Sequence, residues 1–229
     1  PKLKSVELQS GARLTGVAKG AGMIQPDMAT MLAYFCTDAA LDHADLIRLL
    51  ECVMDRTLNR ISVDGDTSTS DTAALLANGA SGVTVRFSEA AAADLAGLPR
   101  PCSQSDLDQV RDLDAAGREF VWAFLEIALE LGKLIVRDGE GATRIMEVRV
   151  TEARDRGQAL KIARSILNSP LVKTALRGAD PNWGRLVMAV GKVYDEPVDI
   201  DRLRIWFGAE QLNGAGPEQL QRLSNYLKN

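Results

Sequence analysis

The chain has 229 residues, 46% of them apolar and 25% charged. That excludes a disordered chain, a collagen-like repeat and a coiled-coil rod, and leaves room for one large domain or two small ones. Asp and Glu (31) outnumber Lys and Arg (27), giving a net charge of −4 with no basic cluster, so no nucleic acid is expected as partner.

Strands are expected first. Lys2 to Leu8 alternates, Gly11 allows a turn, and Ala12 to Val17 reads as a second strand. A helix is predicted from Asp42 to about Leu58, where Leu46, Leu49, Leu50, Val53, Met54 and Leu58 form one apolar stripe. Asp42 suits its N-cap and His43 its first turn. A polar loop from Ser62 to Asp71 follows. Thr72 to Ala77 reads as a short helix, capped by Asp71 and closed at Asn78-Gly79. The Ala-rich stretch from Ser88 to Leu113, broken by Pro99 and Pro101, reads as a helix plus a surface connection. A long helix is predicted over Ala115 to Val136, stopping before Gly139.

Beyond it, Met146, Val148 and Val150 alternate with Glu147 and Arg149, the pattern of a half-exposed strand. A helix from Gln158 to Leu167 ends before Pro170. Leu186 to Val190 and Leu203 to Phe207 read as strands, and Pro217 opens a last helix. The mixture predicts an α+β fold of mixed α/β layers, its sheets covered by helices. A boundary near residue 140 would divide it into 1–140 and 141–229, each an α/β part. No internal repeat and no low-complexity tract is present. No apolar run approaches the ~20 residues of a membrane helix, and there is no signal-peptide pattern. A cytoplasmic location and no membrane partner are expected.

The chemistry-bearing residue types are few. Cys36, Cys52 and Cys102 are widely spaced with no CxxC pair, so three reduced thiols and no metal site are expected. The single histidine, His43, leaves little room for a Ser-His-Asp or Cys-His machine and none for a two-histidine metal motif. An acyl-transfer nucleophile in this chain would need another activator. Lys19-Gly20-Ala21-Gly22-Met23 fits neither the P-loop nor the dinucleotide fingerprint, and reads as a turn that needs glycine. The acidic loop from Asp64 to Thr72 departs from the calcium loop, with Thr69 at the glycine position and Leu75 at the final glutamate position. It reads as a capping loop or as a hydrogen-bonding wall for a polar ligand. Glu140 stands between Gly139 and Gly141, whose freedom could expose its carboxylate to a cleft. Asp180-Pro181-Asn182-Trp183-Gly184-Arg185 reads as a tight turn before a strand, with a buried tryptophan.

Each of these segments is weak alone, but their order is specific. Lys19 to Ile24, Met28 to Leu32, Asp64 to Thr72, Asp138 to Thr143, Ser169 to Ala175 and Asp180 to Arg185 together closely resemble the ornithine acetyltransferase (glutamate N-acetyltransferase) family of arginine biosynthesis. The resemblance covers most of residues 11 to 207 and implies an acyltransferase of amino-acid biosynthesis, multifunctional in some members. Family members cleave themselves before a threonine, which here is Thr30, so the implied scissile bond is Ala29-Thr30. The freed α-amino group, with a reference pKa of ~8, can serve as general base to the hydroxyl of the same residue, which would replace the missing histidine.

By resemblance, N-acetylornithine gives its acetyl group to Thr30, ornithine leaves, and glutamate takes the acetyl group. Acetyl-CoA is a further donor in some members. Lys19, Thr30 and Glu140 are the implied substrate-binding residues, Lys19 for a carboxylate and Glu140 for an ammonium. No cofactor and no metal is implied. The implied assembly is an α/β heterodimer that associates further. The family's Thr-Gly oxyanion hole belongs to an earlier stretch, and a substrate-binding Asn and a hydroxyl residue to a later one. Asp27 stands where the family usually has Asn, and the stretch from about Val83 to Leu113 is longer than usual. The chain is therefore expected to be a central portion, inactive in acetyl transfer by itself. The competing expectations are an amidohydrolase or aminopeptidase with the same N-terminal threonine, with water as acceptor, and an inactive truncated fragment.

Overall fold

The computed structural model describes residues 2–22, 24, 31–66 and 70–228. The chain divides into two compact units, Pro1–Ala142 and Thr143–Asn229.

The first unit is built on a four-stranded sheet in the order β1-β2-β3-β4. Strands β1 (Lys2–Glu7), β2 (Arg13–Lys19) and β3 (Leu32–Thr37) are antiparallel neighbours. Strand β4 (Thr72–Ala77) lies parallel to β3, from Leu32↔Thr72 to Thr37↔Ala77. A parallel neighbour needs a crossover. Helix α1 (His43–Arg56) supplies it, with Asp42 as N-cap accepting from Asp45 N. Helix α2 (Glu89–Gly97) follows β4, and α3 (Ala115–Arg137) closes the unit. The buried core joins Leu14, Phe35 and Leu75 of the sheet to Leu49 and Val53 of α1 and to Phe120, Phe124, Leu131 and Ile135 of α3.

The seat of α3 depends on Gly16 of β2. A Cβ there would lie 2.7 Å from Ile127 Cγ2, 2.8 Å from Leu131 Cδ1 and 2.9 Å from Phe35 Cδ1. Beside it, Phe35 and Phe124 meet edge-to-face with centroids 4.8 Å apart. The other side-chain set of the sheet carries Leu3, Tyr34, Cys36 and Leu76, all exposed.

The second unit packs α4 (Arg156–Leu167), α5 (Pro170–Arg177) and α6 (Trp183–Gly191) around Ile162, Ile166, Val172, Leu186, Ala189 and Val190. A short hairpin, β5 (Trp206–Phe207) and β6 (Glu210–Gln211), precedes α7 (Pro217–Lys228).

Four expectations are corrected. Thr72–Ala77 is a strand, not a helix, because its whole length pairs with β3, and that ladder outweighs the helix propensity of Ala and Leu. Asp71 therefore caps no helix. Leu186–Val190 is helix, because its buried residues Leu186, Ala189 and Val190 fall at i, i+3 and i+4 behind the N-cap Asn182. Met146, Val148 and Val150 do pack on the second core, but no ladder partner exists for them among the described residues. Of Leu203–Phe207 only Trp206 and Phe207 pair. Mixed α/β layering with helices against the sheet is otherwise as expected.

Candidate active site

Strand β2 carries Lys19 to the last rung of its ladder, opposite Leu32. Lys19 is exposed there. Two residues on, the Ala21 carbonyl accepts the Glu140 N–H at 3.1 Å. Next to it, a Cβ on Gly22 would stand 3.8 Å from Glu140 Oε1 and 4.0 Å from Asp64 Oδ2. The glycine loop, the acidic loop and the Glu140 turn, three segments far apart in sequence, thus converge on Gly22.

Each has a local cause. Glu140 occupies the second position of a turn closed by Ala142 N donating to Gly139 O at 2.9 Å. The third position, Gly141, has φ +69°, a conformation that favours glycine. The turn continues directly from α3, whose C-cap Asp138 pairs with Lys2 Nζ at 2.5 Å. The same ammonium donates to Gly20 O at 3.0 Å, so one lysine ties the helix end to the glycine loop.

The acidic loop acts as a strap. Asp64 Oδ1 accepts from Ile24 N at 3.0 Å and from Asp66 N at 3.1 Å, while Val63 N donates to Ile24 O at 2.7 Å. At the loop's far end, Asp71 Oδ1 accepts from Met31 N at 2.6 Å and Thr72 N donates to Met31 O at 3.0 Å. Ile24 and Met31 are therefore each held by both backbone groups. Asp27, Ala29 and Thr30 lie between them and, like Thr67 to Thr69, outside the described residues. The Asp71 Oδ2 atom is buried, with no hydrogen-bond partner among the described residues. Burial pushes this carboxyl above the ordinary range, and the bond from Met31 pulls the other way.

Sequence reading had Asp64 and Asp71 in view but not their partners. Both satisfy backbone groups some forty residues away, and no local spacing encodes that. The remaining candidates stand apart. His43 is exposed at the first position of α1. The three thiols are free, and burial with nearby Asp55 and Glu51 pushes the Cys52 thiol up, away from thiolate chemistry. No group of three His, Cys, Asp or Glu that could hold a metal exists among the described residues. None of the described helices is long and apolar enough to cross a membrane. An open depression of about 800 Å³ beside Gln9, Ser105, Asp108 and Glu119 contains none of the residues above. In the second unit, Ser169 and Asn182 cap α5 and α6, and Trp183 is 42% exposed, not buried in a turn before a strand.

A profile of the ArgJ family matches residues 1–229. The chain belongs to the ArgJ family. Among ArgJ relatives, "Glutamate N-acetyltransferase Oat2" of Streptomyces clavuligerus is 47% identical over 199 residues, covering 86% of this chain and 43% of the relative. "Glutamate N-acetyltransferase" of Methanocaldococcus jannaschii is 45% identical over 196 residues, covering 83% and 42%. The crystal structure of "Arginine biosynthesis bifunctional protein argJ" from Bacillus halodurans matches with TM-score 0.65 and 32% identity over 84% of this chain and 80% of that one. The mixed α/β architecture is thus the ArgJ fold. The chain spans about half the length of the curated relatives it matches.

Proposed function

We propose that this chain carries the nucleophile and part of the substrate site of a glutamate N-acetyltransferase of arginine biosynthesis, working by self-cleavage at Ala29-Thr30. The observation that supports it is the convergence at Gly22: Glu140 and the Lys19 end of β2 belong to the same end of one unit, and Met31, the residue after Thr30, is fixed there by β4.

In the cleavage step the Thr30 hydroxyl oxygen attacks the Ala29 carbonyl carbon. The Ala29-Thr30 C–N bond breaks and an ester forms, and water hydrolyses the ester to leave an Ala29 carboxylate and a Thr30 α-amine. In turnover that amine takes the hydroxyl proton as the oxygen attacks the acetyl carbonyl of N-acetylornithine. The acetyl C–N bond breaks, the proton passes to the departing nitrogen, and ornithine leaves. The glutamate amine then attacks the acetyl-threonine ester, and N-acetylglutamate forms. Lys19 supplies a point charge for a substrate carboxylate and Glu140 an acceptor for an ammonium. Acetyl-CoA, in place of N-acetylornithine, would enter at the same acetylation step.

Intact mass under denaturing conditions tests the reading. Two pieces, one beginning at Thr30, are expected, with a single uncut species for Thr30→Ala. Label exchange between N-acetylornithine and glutamate tests the transfer. Consumption of N-acetylornithine without glutamate would replace the transferase by an amidohydrolase. An uncut chain in the complete gene product would remove Thr30 as nucleophile.

A further inference from the structure

Lys2 belongs to none of the motif segments, yet its side chain joins two parts of the site. Its backbone sits in the β1–β2 ladder opposite Ala18, the residue before Lys19. Its ammonium donates to Gly20 O at 3.0 Å and pairs with Asp138 Oδ2 at 2.5 Å. The lysine side chain is only 14% exposed, but that of Asp138 is 66% exposed. An ion pair with one partner so open to solvent adds little stability. What it fixes is geometry.

The glycine loop is held to the end of α3 at two points. One is the bond from Glu140 N to Ala21 O, at 3.1 Å. A single hydrogen bond sets a distance and lets the two segments pivot about it. The second tie, from Gly20 O through Lys2 to Asp138, removes the pivot. Stiff elements stand behind both ends: the β2 ladder on one side and the 23-residue α3 on the other. Lys19 is next to one tied residue, and Glu140 follows the other by two positions. The direction of Glu140 relative to Lys19 therefore depends on the Lys2 tie.

Resting on the assignment of Lys19 to a substrate carboxylate and Glu140 to its ammonium, we propose that Lys2 is a positioning residue that fixes the span between those two groups, and with it the length of diamino acid that the site accepts. A donor one methylene longer than N-acetylornithine cannot satisfy both charges at that span. One methylene is ordinarily worth ~10–200-fold in kcat/KM. Without the tie, Glu140 can follow the longer chain, and discrimination by length falls.

The test uses the complete gene product and compares N-acetylornithine with Nα-acetyllysine, one methylene longer, as acetyl donors to glutamate. Lys2→Met keeps the apolar stem and loses every donor. Asp138→Asn removes the partner charge, and Lys2→Arg keeps both charge and donors. The wild type is expected to prefer N-acetylornithine by about 10²-fold in kcat/KM. In Lys2→Met and in Asp138→Asn the preference is expected to shrink to about tenfold, through a higher KM for N-acetylornithine with kcat held, and Lys2→Arg should recover most of it. A merely structural role would lower the amount of folded enzyme and slow both donors in the same proportion. Calorimetric binding of ornithine against lysine should show the same change in ratio without turnover. An unchanged preference in Lys2→Met and Asp138→Asn overturns the proposal and leaves the acetyltransferase reading standing. A wild-type product that transfers acetyl from neither donor overturns both.

Discussion

Gly139→Ala should move the Glu140 turn without touching Glu140. A Cβ at Gly139 would lie 2.9 Å from Val63 Cγ1 and 3.2 Å from the Val136 carbonyl oxygen. The second neighbour is backbone of the last turn of α3 and cannot rotate away. The first is a β-branched side chain with few rotamers, on a residue whose N–H is bonded to Ile24 O at 2.7 Å. Restoring ordinary carbon contact at Val63 needs a displacement of ~0.5 Å. Overpacking of this kind costs about 1–3 kcal/mol of stability. A misplacement of 1 Å can cost ~10²-fold in rate, so half of that should lower kcat/KM about tenfold. Denaturant unfolding reads the first quantity and acetyl transfer by the complete gene product reads the second. Val63→Ala opens the space and should relieve most of the added cost in the double variant, as a double-mutant cycle would show. A loss below ~0.5 kcal/mol for Gly139→Ala, or no relief from Val63→Ala, would refute the steric reasoning.

Gly16→Ala, set against Ile127, Leu131 and Phe35, should destabilise the first unit by about 1–3 kcal/mol in denaturant titration; a neutral result would mean that α3 is not seated on that glycine. Asp94 accepts from Arg111 N, Nε and Nη2 at 2.8–2.9 Å, and these bonds hold its carboxyl down at about 2. The sign follows from linkage: the native state holds the proton less tightly than the unfolded chain, so the contribution is full above the ordinary carboxylate pKa and is lost as pH falls toward about 2. NMR titration of Asp94 should show that low midpoint, and Asp94→Asn should flatten the acid-side fall in stability. A midpoint at the ordinary Asp value would remove the ion pair as its cause.

Elements whose evidence is local were legible in the sequence. The β1–β2 hairpin, α1 with its Asp42 cap, and α3 announce themselves by alternation, capping and a 3.6-residue stripe. β4 does not, because TAALLA carries no strand preference of its own and becomes a strand only beside β3. Leu186–Val190 misleads in the opposite way: a run of large apolar residues suits a buried strand, and the Asn182 cap that makes it a helix is a single residue. At the site, the glycines around Glu140 were readable as a special turn. The roles of Asp64 and Asp71 were not, because the backbone groups they satisfy at Ile24 and Met31 are unmarked by any side chain. The ordered motifs led to the ArgJ family although no single motif carried it.

The antiparallel ladder from Leu14↔Thr37 to Lys19↔Leu32 joins the two sides of the Ala29-Thr30 bond. A cut there would sever two strands that are hydrogen-bonded neighbours in one sheet. The halves would stay together in native buffer and separate only in denaturant. Before the cut, that ladder forms within one chain. After it, refolding would require two chains to meet and would become concentration-dependent. On the proposed cleavage, the uncut polypeptide could find its fold from any dilution, whereas a cut one, once unfolded, would have lost the linkage that assembled it.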